Sequence, residues 1–315
     1  MSAAHAVTSV AAQGVESVEV ISMPAVLGAE VRCGDVRRLS DSGFDVIHRA
    51  ALDHLVILIR NQTLTDPELI AFGRRFGALD CAPLAKTGKE KARAHPEIVV
   101  VSNVMENGQA IGVLRDAEVV WHSDNSYREQ PLSFSALYAL EVPERGGNTG
   151  FANMYLALES LDPALRARIE GRTLKHDMTY NSAGDLREGF KPVADVRDAP
   201  GPSHPIIRTH AETGYDALYL GRRPNAYIDG LPVDESEALL NALWSHATQP
   251  QFTWRHAWRP GDILMWDNRC VMHHRDPFDA GARRVMHRVQ CAGERPSKSS
   301  GGKLGHPRST QRGSK

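Results

Sequence analysis

The feature that most restricts the fold of this chain is a series of short strand-like segments in its second half. They are rich in β-branched and aromatic residues, and turn-forming residues separate them. In order they are HPIIRTH (204–210), DALYLGRR (216–223), FTWRHAW (252–258), DILMWDN (262–268), CVMHHR (270–275) and RRVMHRVQC (283–291). Only one clear helical pattern, at 234–247, interrupts them. Many short strands with few helices favour a sandwich or a barrel over a doubly wound sheet.

The first half of the chain alternates strands and helices. The pattern predicts strands at 18–22 and 55–61 and helices at 40–54, after Thr65, at 154–160 and at 162–171. The helix after Thr65 begins with a capping box that Thr65 and Glu68 form. Asn107-Gly108 between two apolar runs is a hairpin signal. The predicted fold class is therefore mainly β with flanking helices (α+β).

Composition and the chain ends indicate one globular domain. The 315 residues include 37 Lys and Arg against 38 Asp and Glu, which argues against a nucleic-acid or anionic-membrane partner. We expect a loose leader at 1–16 and a single domain at 17–294. Residues 295–315 are rich in Gly and Ser and carry six basic and no acidic residues, which predicts a disordered tail.

The cysteines and the apolar runs bear on the compartment. The four cysteines are far apart and form no CxxC pair, as is typical of reduced thiols in the cytoplasm. No Lys or Arg precedes Arg32, so the start lacks the charged region of a secretory signal. The longest aliphatic run, LVILI at 55–59, is too short to span a bilayer. We therefore expect a soluble cytoplasmic protein.

The chemistry of the chain centres on WHSDNSY, residues 121–127. In a strand, His122 and Asp124 point to the same face and can reach one metal ion. A third ligand is available in WDNRCVMHHRDPFDAGARRVMHR (266–288), as either His273 or His274. Two histidines and one carboxylate form the facial triad of non-haem Fe(II) oxygenases, which leaves half of the coordination sphere open. A zinc hydrolase is the alternative, because the ligand types alone do not exclude it.

The same segment supplies cations for an anionic co-substrate. If the co-substrate is a 2-oxo dicarboxylate, its distal carboxylate needs a bidentate cation in a buried pocket, and arginine suits that role. Arg284 and Arg288 are four residues apart, so both face the same side of a strand. An exposed basic edge is the alternative interpretation.

Three segments together resemble one enzyme family. WHSDNSY, PERGGNTGFANM (143–154) and WDNRCVMHHRD followed by RRVMHR resemble the TauD/TfdA family of Fe(II)- and 2-oxoglutarate-dependent dioxygenases, over about residues 18–293. The resemblance implies a double-stranded β-helix, that is, a cupin-like jelly roll. It implies Fe(II), 2-oxoglutarate and dioxygen as cofactor and co-substrates. It also implies the iron ligands His122, Asp124 and His273, since WDNR-x-x-x-H ends on the ligand.

The resemblance extends to the residues around the metal. It implies that Thr149 and Arg284 bind 2-oxoglutarate and that Arg288 binds the anionic group of the substrate. Further candidate residues for the substrate pocket are Asn103, Asn125 and Tyr127, each with a structural role as the alternative. DCAPLA (80–85) lacks the histidine that the taurine enzyme has there, which argues against taurine itself.

The implied reaction is hydroxylation of a small carboxylate or sulfonate, with succinate and carbon dioxide as co-products. The resemblance also implies a homo-oligomer. Two other functions stay open from the sequence, a metal-dependent hydrolase and a non-catalytic 2-oxoglutarate-binding module on the same fold.

Overall fold

The computed structural model describes residues 7–10 (backbone only), 17–81, 94–113, 119–221 and 224–307. Its strands are β1 (Val7–Val10), β2 (Val18–Ser22), β3 (Ala29–Arg32), β4 (Val56–Ile59), β5 (Val99–Ser102), β6 (Met105–Glu106), β7 (Gln109–Ala110), β8 (Val119–His122), β9 (Leu132–Glu141), β10 (Thr149–Asn153), β11 (Thr173–Lys175), β12 (Ser203–Pro205), β13 (Ile207–Thr209), β14 (Asp216–Leu218), β15 (Tyr227–Ile228), β16 (Thr253–His256), β17 (Ile263–Asp267), β18 (Val271–Arg275) and β19 (Val285–Ala292). Its α-helices are α1 (Asp41–His54), α2 (Asp66–Arg74), α3 (Met154–Glu159), α4 (Pro163–Ile169) and α5 (Val233–Ala247).

Two sheets form the body of the fold. The larger has the order β1-β2-β3-β4-β17-β9-β19-β5, and the smaller has the order β16-β10-β18-β8. Phe151 of the smaller sheet packs against Trp266 of the larger one, with ring centroids 5.6 Å apart. Both belong to one buried apolar cluster with Leu137 and Leu264. The chain is thus a jelly roll with few helices, which confirms the predicted fold class.

Helices cover the other face of the larger sheet. Ile47 of α1 and Phe72 of α2 share a second apolar cluster with Ile57, Met265 and Val289 of the sheet. This arrangement explains why the central strands are apolar on both faces, as is usual for strands buried from two sides.

Local signals located several elements correctly. Ser40 caps α1, and the capping box of Thr65 and Glu68 is present at α2. Asn107 and Gly108 have positive φ angles of 50° and 75° between β6 and β7, so the predicted hairpin is confirmed. None of the helices in the described ranges is long and apolar enough to cross a membrane.

Residues 295–307 of the predicted disordered tail make defined contacts with the domain in the structure. The Ser297 carbonyl accepts a hydrogen bond from Thr209 N (2.8 Å), and Lys303 pairs with Tyr215 in a parallel bridge. Lys298 Nζ lies 2.9 Å from Oδ2 of Asp216, a carboxylate that is only 2% exposed. A buried acid needs such a partner, and composition alone does not reveal it. Residues 308–315 lie outside the described residues.

The predicted leader is described only at residues 7–10. These residues form β1, which pairs antiparallel with β2. Residues 1–6 and 11–16 of the leader lie outside the described residues.

We expect Lys298→Ala to lower the free energy of unfolding by about 1–3 kcal/mol, because it leaves the Asp216 carboxylate without its cation. Urea denaturation of the purified variant measures this change. The matched control is Lys303→Ala, at an exposed lysine in the same segment, which should stay within about 0.5 kcal/mol of the parent. Equal stability of the Lys298 variant and the parent would contradict a structural role for the segment.

Candidate metal centre and anion pocket

The three predicted metal ligands meet between the two sheets. His122 ends β8, Asp124 follows in the next turn, and His273 lies in the middle of β18. The two histidines are direct partners in the strand register, with ring centroids 4.2 Å apart. Asp124 Oδ1 lies 3.7 Å from His122 Nε2 and 3.9 Å from His273 Nε2. The three buried side chains can therefore share one ion.

The alternation of β18 separates His273 from His274. His274 pairs with Gly150 on the opposite face and packs against Trp121, with ring centroids 4.2 Å apart. A Cβ atom on Gly150 would lie only 2.2 Å from His274 Nε2, so this position requires glycine. The structure thus places His273, and not His274, beside Asp124.

The protonation states of the ligands suit a divalent metal. His122 Nδ1 is 2.7 Å from the Val120 carbonyl, which can only accept, so Nε2 carries the free lone pair. Burial, and then the neighbouring His122, lower the pKa of His273 well below its usual value. Burial alone would raise the pKa of Asp124, but Arg288 and His273 hold it well below its usual value. A neutral imidazole at His273 and a carboxylate at Asp124 are therefore favoured, and together with Nε2 of His122 they provide the ligand set of a facial triad.

Asp124 is held by Arg288 and by Ser135, of which the sequence alone did not indicate Ser135. Its Oδ2 accepts a hydrogen bond from Ser135 Oγ at 2.7 Å, and its Oδ1 lies 3.3 Å from Arg288 NH1. Ser135 is a polar, fully buried position in the apolar strand β9. A serine within an apolar strand is the sequence signal that could have indicated this buried polar contact.

Arg284 forms the centre of an anion pocket. It is 2% exposed, and its guanidinium makes no hydrogen bond or ion pair within the described ranges. Burial, and then the nearby Arg275, lower the pKa of Arg284 to about 9. An ideal Cβ on Gly147 would lie 3.4 Å from Arg284 Nε, so the side chain packs against the glycine turn of the GGNT segment. The buried guanidinium of Arg284, with a second cation nearby and no acidic partner in the described ranges, favours an anion.

Thr149 lies on the same face of the smaller sheet as His273. It pairs with Arg275, two residues after His273. Its Oγ1 accepts a hydrogen bond from Trp258 Nε1 at 3.0 Å, which leaves the hydroxyl proton free to donate. This face of the smaller sheet therefore carries the polar side chains of His273, Thr149 and Arg275, which extend from the triad towards the buried arginines.

The remaining predicted residues have structural contacts. Asn103 Oδ1 accepts a hydrogen bond from the backbone N–H of Arg284 (3.0 Å), and Asn103 Nδ2 donates one to the Ala282 carbonyl (2.8 Å). The Tyr127 hydroxyl donates to Asn125 Oδ1 (3.0 Å), one residue from Asp124. Asn103 therefore supports the loop before β19, and its predicted substrate contact stays a prediction, as do those of Asn125 and Tyr127.

A second group of possible ligands, His210, Asp267 and Cys270, does not suit a metal. His210 Nδ1 accepts the backbone N–H groups of Glu212 and Thr213, and Nε2 therefore carries the proton that it donates to Asp267 (2.9 Å). Arg269 also binds Asp267 through two nitrogens. No imidazole lone pair is left, so this group is a buried ion-pair network.

Known proteins are similar to this chain over most of its length. The family model "Taurine catabolism dioxygenase TauD, TfdA family" matches residues 19–290. The alpha-ketoglutarate-dependent 2,4-dichlorophenoxyacetate dioxygenase of Cupriavidus pinatubonensis is 35% identical, over 86% of this chain and 92% of its own. A taurine dioxygenase structure from Burkholderia xenovorans matches with a TM-score of 0.72 and 31% identity, covering 90% and 94% of the two chains. The structure of AAD-2 with Mn(II) and N-oxalylglycine matches at 0.69 and 30% identity, covering 89% and 98%. The chain therefore belongs to the TauD/TfdA family of Fe(II)- and 2-oxoglutarate-dependent dioxygenases.

Proposed function

We propose that this Fe(II)- and 2-oxoglutarate-dependent dioxygenase hydroxylates a small organic anion, either a carboxylate or a sulfonate. Succinate and carbon dioxide are the co-products. The observation that carries the substrate class is the position of Arg288, whose guanidinium lies beside the metal-facing oxygen of Asp124. A cation at that place can hold an anionic substrate next to the metal.

His122, Asp124 and His273 would hold the iron, which supplies the activation of dioxygen when bound. Thr149 and Arg284 would bind the distal carboxylate of 2-oxoglutarate, since the buried guanidinium of Arg284 needs an anion and the Thr149 hydroxyl can donate. Enclosing these groups between two sheets excludes water and fixes the direction from which a substrate approaches.

Arg288 is suited to a second anion. It lies in β19 with a side chain that is 17% exposed, so it is more accessible than Arg284. It contacts Asp124 through one nitrogen, and its Nε has no partner in the described part of the chain. Much of the guanidinium is thus available for a carboxylate or a sulfonate. Dichlorophenoxyacetate and taurine, for which similar enzymes are named, carry these two groups.

Three broader expectations belong to this proposal. We propose a single domain at 17–294 and a cytoplasmic location, which the free cysteines Cys33, Cys81, Cys270 and Cys291 support. A homo-oligomer stays a prediction from the family resemblance. The segment DCAPLA (80–85) has no histidine, and this absence argues against taurine as the substrate. Residues 82–85 of the segment lie outside the described residues.

We expect the protein to bind Fe(II) and 2-oxoglutarate without oxygen, and then to release succinate in air when the correct anion is present. A screen of phenoxyacetates, other small carboxylates and sulfonates for succinate release tests this. His122→Ala should abolish release, whereas His287→Ala, at a histidine bound to Asp66 outside the centre, should not. Oxygen-independent turnover with zinc would indicate a hydrolase, and 2-oxoglutarate binding without any turnover would indicate a binding module.

We expect Arg284→Met to separate stability from function. Replacing a buried, unpaired cation with an apolar side chain should raise the free energy of unfolding by about 1–4 kcal/mol. The same change should weaken 2-oxoglutarate binding to the Mn(II)-loaded protein by about 100-fold or more. Urea denaturation and anaerobic calorimetry measure the two effects. The neighbouring Arg283→Met, at an exposed arginine paired with Glu141, is the matched control and should change neither by much.

We expect Arg288→Ala to raise KM for the best anion of the screen by roughly 30-fold or more, because the substrate loses its counter-charge. The affinity for 2-oxoglutarate should change far less. Steady-state kinetics with that anion and with its uncharged methyl ester measure the effect. The parent should strongly prefer the acid and the variant should not. A preference for the acid that survives the substitution would show that another group recognises the anion.

A further inference from the structure

Ser135 lies at the centre of a hydrogen-bond network behind the metal centre. It is fully buried in the middle of β9, where it pairs with Trp266 of β17 and Gln290 of β19. Residues that pair directly share a face of the sheet, so these three side chains point to the same side as Asp124. The polar side chains that meet there are those of Asp124, Ser135, Asn268 and Gln290, which are buried and come from distant parts of the sequence.

The orientation of the Asn268 amide is fixed by its neighbours. Its Oδ1 accepts hydrogen bonds from the backbone N–H of Asp124 (3.2 Å) and from Trp266 Nε1 (3.0 Å). Both of these groups can only donate, so the oxygen must face them. The Nδ2 group therefore faces Ser135, whose Oγ lies 2.9 Å away.

This orientation determines where the Ser135 proton points. The Ser135 oxygen accepts from Asn268 Nδ2 at 2.9 Å and from Gln290 Nε2 at 3.2 Å. A hydroxyl has two lone pairs and one proton, so both lone pairs are in use. The proton is left for Asp124 Oδ2, at 2.7 Å. Ser135 is thus an obligatory donor to one oxygen of the metal-ligand carboxylate.

The two oxygens of Asp124 therefore have different roles. Oδ2 is held by Ser135, while Oδ1 faces His122 and His273. A carboxylate held in this way binds a metal through one oxygen. Binding through both would occupy a coordination position that the facial arrangement leaves open for co-substrate and dioxygen.

We propose that Ser135 is a positioning residue that keeps Asp124 a one-oxygen ligand and so preserves the open positions of the metal. The proposal rests on the metal centre and co-substrate site proposed above. Ser135 acts through Asp124 and touches neither metal nor substrate. Its loss should affect the co-substrate, which needs two open positions, more than it affects the metal.

The test uses the whole 315-residue chain, loaded with Co(II) without oxygen and titrated with the unreactive analogue N-oxalylglycine. We expect Ser135→Ala to weaken analogue binding by about tenfold or more, the usual effect of losing a partner of a metal ligand. The visible absorption of bound Co(II) should also change before the analogue is added, because that spectrum reports the coordination number. An unchanged spectrum together with unchanged analogue binding would overturn the proposal.

Two further variants keep the result interpretable. Ser133 lies on the same face of β9, and its buried hydroxyl donates only to backbone carbonyls. Ser133→Ala should therefore leave both the Co(II) spectrum and analogue binding unchanged. Ser135→Cys retains the volume but donates weakly, so it should reproduce the defect if Ser135→Ala fails to fold. Equal effects of Ser133→Ala and Ser135→Ala would show that Ser135 contributes packing alone, which would overturn the proposal. Failure of the parent to bind Co(II) would instead refute the metal centre, and the role of Ser135 with it.

Discussion

The direct pairing of His122 with His273 across β8 and β18 is the contact on which the whole centre depends. Because both histidines belong to hydrogen-bonded strands, the backbone of the sheet sets their separation. A shift of one residue in β18 would turn His273 outwards and bring His274 inwards. The glycine at position 150 opposes that shift, since only a residue without a Cβ leaves room for the His274 ring on the outer face.

Around this contact the fold concentrates charge in an apolar interior. Arg284 is buried with no acidic partner among the described residues, and Arg288 contacts one carboxylate in that part of the chain, that of Asp124, which is also an expected metal ligand. Buried charges with incomplete partners cost stability, and proteins retain them where a ligand completes the pairing. The apolar clusters on both faces of the larger sheet offset that cost.

The sequence predicted what depends on short-range patterns. The caps of α1 and α2, the Asn107-Gly108 hairpin and the mainly β architecture follow from local residue preferences. The triad could be assembled only with the family resemblance, because spacing alone left His273 and His274 equivalent. Contacts between residues far apart in sequence could not be predicted from these local patterns. Ser135 contacts Gln290 across 155 positions, and Lys298 of the C-terminal segment contacts a carboxylate, Asp216, that composition does not mark as buried.

The contact between Arg288 and Asp124 has a consequence for the order of assembly. A divalent ion and a guanidinium both seek the same carboxylate oxygen, and like charges repel at such short range. An ion bound by Asp124 would therefore weaken the contact of the arginine with this carboxylate and, under the proposed role of Arg288, would make the guanidinium available to an incoming anion. Metal occupancy and substrate binding would in this way be linked, because the same guanidinium would pair with Asp124 in the ion-free protein and with the substrate once the ion is bound.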